Sequence, residues 1–398
     1  MRTMIVTVGD VAAGGHCVAR VDGEVYFVRH ALPGERVRIE VTDRKKRYAF
    51  ADAVEILDPS PDRVEPPCPW SGPGKCGGCD FQHVTHDAQL RLKTRVLIDQ
   101  LTRLGGLAAE RLAELEVEPL PWKEGPLGWR TRMQYAVDSG GGAGLRGHKS
   151  RDIVRIDWCR IATEPIRSAD VLSRNWNRGG KGVGAVGVVD SDDELAVYTQ
   201  LRRTSRPHHK QGPRTVHQRV GDLEFELDFD GFWQVHPGAA ETFLECVLEF
   251  LQPREGEAAW DLYAGAGLFA AGLADAVGER GRVVAVENAK SSRTAANLAD
   301  RKNAGAIAGD VAETVPALGG VDIVVLDPPR SGAGTDVVAS LIEARPRAVC
   351  YVACDAGALA RDVKAFAEHG WEPTRLRAFD AFPMTQHFET IALFEPAT

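Results

Sequence analysis

The sequence lacks several features that would set it apart from ordinary globular proteins. Its N-terminus has no basic stretch followed by a long apolar run, and no segment approaches the roughly 18 consecutive apolar residues that a membrane-spanning helix needs. No internal repeat or low-complexity tract stands out. We therefore expect a cytoplasmic protein without a membrane partner, and 398 residues are enough for two or three domains.

An excess of positive charge is also missing, since the formal net charge is -8. This balance argues against a chain that coats nucleic acid indiscriminately. Basic residues nevertheless concentrate in three runs, at 44–47, 146–155 and 201–219. A single run is often only a solvated loop, but three together favour a polyanionic partner contacted mainly through its phosphates.

Apolar periodicity divides the chain into three regions. Residues 1–58 alternate apolar and polar positions between glycine turns, which is typical of a small OB-like antiparallel barrel. Residues 59–225 begin with a proline-rich linker and mix helical and strand-like segments, which predicts a central α+β domain. In residues 226–398 strands alternate with helices, which indicates a mainly parallel, Rossmann-like sheet. The predicted fold class is therefore α/β.

A glycine-rich turn, DLYAGAG at 261–267, follows the first strand of that sheet. Its spacing is not the G-x-G-x-x-G of dinucleotide binders, and the aspartate-led form suits S-adenosylmethionine, whose amino acid and ribose lie against the turn. Glu287 ends the second strand, where a carboxylate can accept hydrogen bonds from both ribose hydroxyls. Asp310 ends the third strand, where an acid can accept from the adenine amino group.

The fourth and fifth strands end in residues that are suited to catalysis. Two prolines follow Asp327 and hold it rigidly over the predicted cleft. Arg330 stands where amino-group methyltransferases usually carry an aromatic ring, which disfavours chemistry at an exocyclic nitrogen. Cys354 precedes a helix whose N-terminus is expected to favour a thiolate, so it can act as a nucleophile.

A thiolate is what methylation of a pyrimidine carbon requires. Uracil C5 is too weakly nucleophilic to attack a sulfonium methyl group, but thiolate addition at C6 generates an enolate at C5 that can. A base must then remove the C5 proton so that the thiolate can leave. Glu389, just before the last apolar run, is the candidate base.

Four cysteines suggest a metal site. Cys68, Cys76 and Cys79 are close together in the sequence, and Cys159 is a remote fourth candidate. Disulfides are not expected in a reducing compartment, so the cluster indicates a metal. Three close thiolates with one distant thiolate fit either structural zinc or a 4Fe-4S cluster. The two paired C-x-x-C units that are usual for zinc are absent, but spacing does not fix the metal.

Six motifs, in order, carry a resemblance to a known family: CGGCDFQH, FWQVHP, DLYAGAG, VVLDPPR, YVACDAGALARD and FPMTQHFET. Over essentially its whole length the chain resembles the RNA uracil-C5 methyltransferases, in particular the bacterial 23S ribosomal RNA branch with an N-terminal TRAM barrel and an iron-sulfur cluster. The resemblance implies that Cys354 is the nucleophile and Glu389 the proton acceptor.

The resemblance also implies two binding sites. The residues around S-adenosylmethionine are Gln234, Tyr263, Glu287, Asp310 and Asp327. The ligands of a 4Fe-4S cluster are Cys68, Cys76, Cys79 and Cys159. Gln234 follows only from the resemblance. On this basis the three regions are a TRAM barrel (1–58), a central iron-sulfur and RNA-binding domain (59–225) and the methyltransferase domain (226–398).

The expected function is methyl transfer to C5 of a uridine in structured RNA, with the target base flipped into the cleft. Ribosomal RNA is preferred because the barrel and the cluster accompany that branch, and transfer RNA is the alternative. A non-catalytic RNA-binding or redox-sensing iron-sulfur protein is an alternative of another class. The presence of Cys354, Asp327 and Glu389 together counts against it. No obligate protein partner is evident.

Overall fold

A computed structural model describes residues 3–177, 180, 182–192, 194–204, 206–289 and 293–397. In these ranges the strands form two six-stranded sheets, one hairpin and one eight-stranded sheet. No helix within them is both long and apolar enough to cross a membrane.

The first sheet has the strand order β1-β5-β6-β4-β3-β2. Its strands are β1 (Thr3–Thr7), β2 (Val11–Ala12), β3 (His16–Val21), β4 (Glu24–Arg29), β5 (Arg36–Arg44) and β6 (Tyr48–Asp58). The register between β5 and β6 shifts at three places, and such bulges increase the twist that curls a sheet into a barrel. Inward-facing residues such as Tyr26, Val28, Val37 and Ile39 are buried, in agreement with the alternating sequence pattern.

The middle of the chain contains one long helix and a second antiparallel sheet. Its elements are α1 (His86–Arg103), a 3-10 turn (Ala109–Leu112), β7 (Val117–Pro119), β8 (Arg132–Val137), β9 (Ala143–Arg146), β10 (Ile153–Val154), α2 (Glu164–Ser168), β11 (Val183–Ser191), β12 (Glu194–Leu201), β13 (Pro207–Gln211), β14 (Thr215–Val220) and β15 (Leu223–Asp228). The sheet has the order β10-β9-β8-β11-β12-β13, and β14 pairs with β15 as a hairpin.

The C-terminal part alternates helices and strands, as its sequence predicts. Its elements are α3 (Ala239–Leu251), β16 (Ala258–Leu262), α4 (Leu268–Val277), β17 (Arg282–Glu287), α5 (Thr294–Asn297), β18 (Ala304–Ala308), α6 (Val311–Thr314), a 3-10 turn (Val315–Ala317), β19 (Ile323–Leu326), α7 (Thr335–Glu343), β20 (Ala348–Ala353), α8 (Ala356–Glu368), β21 (Trp371–Asp380) and β22 (Glu389–Pro396).

The eight-stranded sheet has the order β18-β17-β16-β19-β20-β22-β21-β7. Strands β16 to β20 pair in parallel, whereas β22 runs antiparallel to β20 and β21. One apolar cluster includes α3 and α4 on one face, and another includes α1, α7 and α8 on the other. Because both faces are covered, β19 and β20 are buried along their whole length. The predicted α/β fold class is confirmed.

One segment of the middle region is attached to this C-terminal sheet. Helix α1 packs against α8, and β7 pairs in parallel with β21. Glu118 in β7 accepts two hydrogen bonds from the Arg377 guanidinium, at 2.9 and 2.7 Å. The division of the chain at residues 58 and 225 remains a prediction, and the pairing of β7 shows that the middle region contributes a strand across it.

Candidate active site and cysteine cavity

A cleft of about 600 Å³ lies at the carboxyl edge of the eight-stranded sheet. It includes the region between β16 and β19, where the strand order reverses and where open α/β sheets bind their ligands. Six of the seven residues predicted for catalysis and cofactor binding line it: Gln234, Tyr263, Glu287, Asp327, Cys354 and Glu389.

Two carboxylates hold the glycine-rich turn of this cleft. Glu287 accepts hydrogen bonds from the backbone N–H groups of Gly265, at 2.8 Å, and Ala289, at 2.5 Å. The fully buried Asp261 accepts one from the N–H of Ala270, at 2.7 Å. Gly265 has a φ of 53°, and Tyr263, two residues before it, has a φ of 60°, so both adopt the left-handed backbone geometry that glycine favours. Hydrogen bonds within the chain therefore fix the shape of the turn.

Asp310 is the predicted cofactor residue that does not line the cleft. It is exposed and caps the N-terminus of α6, where it accepts a hydrogen bond from the N–H of Ala312 at 2.9 Å. It is close enough to Tyr263 for its charge, together with burial, to raise the pKa of that phenol to about 12. The structure places Asp310 beside the predicted cofactor site, and its contact with adenine stays a prediction.

Two acids and one thiol meet at the other end of the cleft. Glu389 is 5% exposed, and its Oε2 atom has no hydrogen-bond partner among the described residues. Burial and the nearby charge of Asp327 raise the pKa of Glu389 above its usual range. Burial also raises the pKa of Asp327 to about 7. Because two close carboxylates resist double ionisation, this pair readily holds a proton.

The protonation of Cys354 differs from the sequence-based expectation. Burial and the negative charges of Glu389 and Asp327 raise the pKa of its thiol to about 12. Asp355 makes a smaller contribution in the same direction; it caps α8 and accepts a hydrogen bond from the N–H of Ala358 at 2.8 Å. The carboxylate of Asp355 offsets the positive end of the helix dipole. Cys354 is therefore a neutral thiol in the free protein.

Helix α1 holds the segment that leads to Glu389, and sequence reasoning missed this contact. The buried Lys93 ammonium donates to Asp380 Oδ1 at 2.5 Å and to the carbonyl of Phe382 at 3.2 Å. Gln89 accepts a hydrogen bond from the N–H of Met384 at 2.8 Å. The sequence feature that could have revealed this contact is a lysine on the apolar face of a helix, because a buried ammonium needs an acidic partner.

Two aromatic rings at the cleft were also missed. Phe232 is 61% exposed, and Phe382 packs partly against the sheet. Both line the cleft and offer faces on which a base can stack. Both lie in motifs that carry the family resemblance, FWQVHP and FPMTQHFET. Their place in these motifs was the sequence feature that could have identified them as cleft residues.

The four predicted metal ligands line one separate cavity of about 460 Å³: Cys68, Cys76, Cys79 and Cys159. All four are free thiols. The backbone N–H of Gly78 donates to Cys76 Sγ at 3.4 Å, and the Gln82 amide donates to Cys79 Sγ at 3.3 Å. Burial raises the pKa of Cys76 to about 11 and also raises those of Cys79 and Cys159.

The four thiols are not arranged as the ligands of a single metal ion. Within the described ranges, no group of three or more His, Cys, Asp or Glu residues is placed so that it could hold one. A single zinc ion draws each thiolate sulfur to about 2.3 Å. An iron-sulfur cluster binds each thiolate through a different iron, so its ligands stand farther apart. The four thiols share one cavity, and the assignment of an iron-sulfur cluster to them stays a prediction.

Comparison with known proteins identifies the family. The TRAM domain model matches residues 2–54, and the tRNA (Uracil-5-)-methyltransferase model matches residues 320–396. An uncharacterized RNA methyltransferase of Streptomyces avermitilis is 44% identical, with 98% of each chain covered. The 23S rRNA (uracil(1939)-C(5))-methyltransferase RlmD of Shewanella sediminis is 29% identical, with 96% of this chain and 93% of that one covered.

A solved structure supports the fold. The tRNA (uracil-54, C5)-methyltransferase of Pyrococcus abyssi, in complex with S-adenosyl-L-homocysteine, gives a TM-score of 0.75 at 23% identity and covers 98% of this chain and 100% of that one. The fold is thus that of a Rossmann-like methyltransferase with an N-terminal TRAM barrel. The chain belongs to the S-adenosylmethionine-dependent RNA (uracil-5-)-methyltransferase family. The predicted RNA uracil-C5 methyltransferase family, its TRAM domain and RNA as substrate class are confirmed, whereas the iron-sulfur 23S branch stays a prediction.

Proposed function

We propose that this enzyme methylates C5 of a uridine in 23S ribosomal RNA through a covalent adduct between Cys354 and uracil C6. The observation that carries the proposal is the convergence of Cys354, Asp327 and Glu389 on one cleft that also contains the glycine-rich turn. The ribosomal relative, which aligns over nearly the whole chain, supports 23S RNA as the substrate. The fold neighbour that acts on transfer RNA makes transfer RNA the second candidate. The proposal locates the enzyme with this RNA in the cytoplasm.

The reaction begins with the thiol of Cys354. Its proton leaves to water, so that Glu389 stays ionised for the last step, and the sulfur adds to C6 of the flipped uracil. The electron pair that develops at C5 attacks the methyl carbon of S-adenosylmethionine, and S-adenosylhomocysteine departs with the electrons of the broken S–C bond. Since the free thiol has a pKa of about 12, thiolate formation is coupled to binding of the base.

Glu389 completes the reaction as the general base. Its carboxylate takes the proton from C5, the C5–H electrons restore the double bond, and the C6–S bond breaks to release Cys354. A buried carboxylate with a raised pKa is suited to this step because it binds a proton more tightly than an exposed one. The carboxyl oxygen without a hydrogen-bond partner, Oε2, is available for that proton.

The cofactor site is assigned to the part of the cleft around the glycine-rich turn, and it extends to Asp327 at the catalytic end. Residues proposed to contact S-adenosylmethionine are Gln234, Tyr263, Glu287, Asp310 and Asp327. Glu287 is assigned to the ribose hydroxyls because it stands at the end of β17 beside the glycine-rich turn. Asp310 is assigned to adenine from its place next to Tyr263.

The four cysteines are assigned to a 4Fe-4S cluster. When bound, such a cluster crosslinks its ligand loops and can exchange an electron. Basic residues line the cavity, and no Asp or Glu is among its described lining residues, which suits a group of negative charge: Arg130, Arg146, Lys149 and Arg160. We expect protein purified without oxygen to be brown and to contain iron and sulfide. A colourless protein with stoichiometric zinc would overturn this assignment.

Nucleoside mass spectrometry tests the proposed reaction. The content of 5-methyluridine is measured in separated 23S ribosomal RNA and transfer RNA from the parent organism and a deletion strain. Loss from the 23S fraction, restored by the wild-type gene and not by Cys354→Ala, is the expected result. Loss from transfer RNA alone selects the second candidate. Unchanged content in both fractions, together with no methyl transfer to either purified RNA, would favour a non-catalytic RNA-binding protein.

A further inference from the structure

The loop 381–388 joins β21 to β22 and ends immediately before Glu389. The Oε2 atom of Glu389 has no hydrogen-bond partner among the described residues, so the place of this carboxylate in the cleft depends on the backbone that enters β22. Met384, within the loop, has a φ of 67°, a left-handed conformation that is uncommon outside glycine. Such a conformation persists only where neighbouring segments hold it. The course of the loop is therefore set by its contacts.

Two residues that follow the cysteine cluster in the sequence make such contacts. The backbone N–H groups of Asp80 and Phe81 both donate to the carbonyl of Met384, each at 2.9 Å. The Asp80 carboxylate also accepts a hydrogen bond, at its Oδ2 atom, from the N–H of Gln386 at 3.1 Å. Gln386 lies three residues before Glu389. Asp80 thus binds the loop twice, once through its backbone and once through its side chain.

The TRAM barrel holds the second oxygen of the same carboxylate. Arg29, the last residue of β4, donates to Asp80 Oδ1 at 3.2 Å, and the two side chains are only 8% and 13% exposed. Because both oxygens have partners, the carboxylate is fixed in the orientation that Gln386 requires. The barrel also approaches the loop directly, since a Cβ atom on Gly15 would lie 2.9 Å from the Cβ of Gln386. The barrel, the cysteine segment 68–81 and the loop therefore meet at Asp80.

From these contacts we propose that Asp80 is a positioning residue: it fixes the loop 381–388 so that the Glu389 carboxylate lies where it can take the C5 proton. This inference rests on the proposed function, which makes Glu389 the general base. Asp80 does not line the cleft, so it acts through the loop and not on the reacting atoms. A misplacement of about 1 Å can cost a reaction about 100-fold in rate, so a smaller shift of the loop still slows proton removal measurably.

Two substitutions at position 80 separate positioning from stability. Asp80→Ala and Asp80→Asn both remove the ion pair with Arg29, and both are expected to lower the melting temperature by a similar amount. Asparagine alone keeps an oxygen that can accept from the N–H of Gln386. Turnover on RNA from a deletion strain is expected to fall about tenfold in Asp80→Ala and to stay within about twofold of the wild type in Asp80→Asn. Of the two variants, only Asp80→Ala should accumulate the methylated covalent adduct.

A double-mutant cycle with Glu389→Gln tests whether the effect acts through the base. In the Glu389→Gln enzyme no carboxylate remains for Asp80 to position, so adding Asp80→Ala should change turnover by less than about twofold. A role of Asp80 in folding alone would slow the enzyme equally in both backgrounds. The cycle thus distinguishes a positioning residue from a structural one.

Arg95→Met is the matched control, because Arg95 forms another arginine–aspartate pair between the barrel and the middle region, with Asp10 at 3.2 Å. It should leave turnover unchanged. The metal content of each variant, purified without oxygen, checks that the cysteine cavity is unaltered.

If Asp80→Ala does not fold, Asp80→Leu, which has the shape of aspartate without its oxygens, replaces it in both experiments. Equal turnover of the alanine and asparagine variants, or the same loss from Asp80→Ala in both backgrounds, would overturn the proposal. Failure of the proposed function gives a different result: Glu389→Gln itself would then keep full activity, whatever the effect of Asp80→Ala.

Discussion

The catalytic cleft and the cysteine cavity are both preformed spaces, but they obtain their shapes from different sources. Strand ends of a sheet that is covered on both faces form the cleft, and the hydrogen bonds of that sheet fix the positions of its side chains. The cysteine cavity lies between loops and the middle sheet, and an isolated bridge from Cys76 to Gly147 ties the cysteine segment to the end of β9. The comparison teaches that strand ends position the cleft residues, whereas loops position three of the four cysteines.

Charge distinguishes the two spaces as well. Carboxylates surround the thiol of the cleft, and the nearby acids hold the pKa of Cys354 high. Basic side chains and N–H donors surround the thiols of the cysteine cavity. A thiol that ionises only with substrate suits the first setting, and the basic wall of the second would favour thiolates if the proposed cluster is bound.

Replacing the cleft thiol should have the largest effect. Cys354→Ala is expected to abolish methyl transfer, because no other described group lining the cleft can add to C6 as a thiolate. S-adenosylmethionine binding should stay near that of the wild type by calorimetry. Cys350→Ala is the matched control, since that thiol is buried in β20, the strand that leads to Cys354, and does not line the cleft. Full activity of the Cys354 variant would disprove the mechanism.

Replacing the base should slow the reaction and reveal its intermediate. Glu389→Gln is expected to lower turnover by about 10²- to 10⁴-fold, the usual contribution of a general base. The methylated adduct should accumulate because the C5 proton is not removed, and a denaturing gel would show RNA bound covalently to protein. The double variant with Cys354→Ala should show no adduct. A slow Glu389→Gln enzyme that forms no adduct would assign the carboxylate to an earlier step.

Breaking the tie between α1 and the Glu389 segment should lower stability. Lys93→Met leaves Asp380 buried without its ammonium partner, a change that typically costs about 3 to 5 kcal/mol. Chemical denaturation would measure the loss in the free energy of unfolding. Arg103→Ala, on the same helix in an exposed pair with Asp99, should cost less than about 1 kcal/mol. Equal losses for the two variants would show that the buried pair is not what holds this segment.

The smallest expected effect concerns the dependence of stability on pH. Because Asp327 has a pKa of about 7 in the folded protein and near 4 when unfolded, the folded state binds its proton more tightly. Stability should therefore fall as pH rises between these values. Asp327→Asn should be about 1 to 3 kcal/mol more stable than the wild type at pH 8, with little difference at pH 4, while activity falls. Parallel stability profiles of the two proteins would contradict this prediction.

Many of the cleft residues could be predicted from the sequence because they lie at the ends of strands. Cys354, Asp327, Glu287 and Glu389 each adjoin an apolar run that marks a strand, and parallel strands bring their ends to one edge. The protonation of Cys354 could not be predicted in the same way. The direction of the pKa shift of Cys354 depends on burial and on the carboxylates around the thiol, and these are properties of the folded chain.

Long-range pairing was the part of the fold hidden from sequence reasoning. The three residues of β7 carry too little pattern to indicate a strand, and their partner β21 lies far along the chain. The meeting of Phe50 with Lys149 across two regions was hidden for the same reason. Local patterns predict elements, whereas contacts between distant elements follow from the packing of the whole molecule.

The place of β7 at the outer edge of the C-terminal sheet has a consequence for how this enzyme can be divided or recombined. A fragment that begins at residue 226 would lack β7 and leave β21 as an open edge strand, a known template for aggregation. It would also lack α1, the cover over α8. The C-terminal region is therefore not an independent unit that can be moved into another protein alone. An earlier part of the chain supplies the last strand of its sheet and the helix that covers α8.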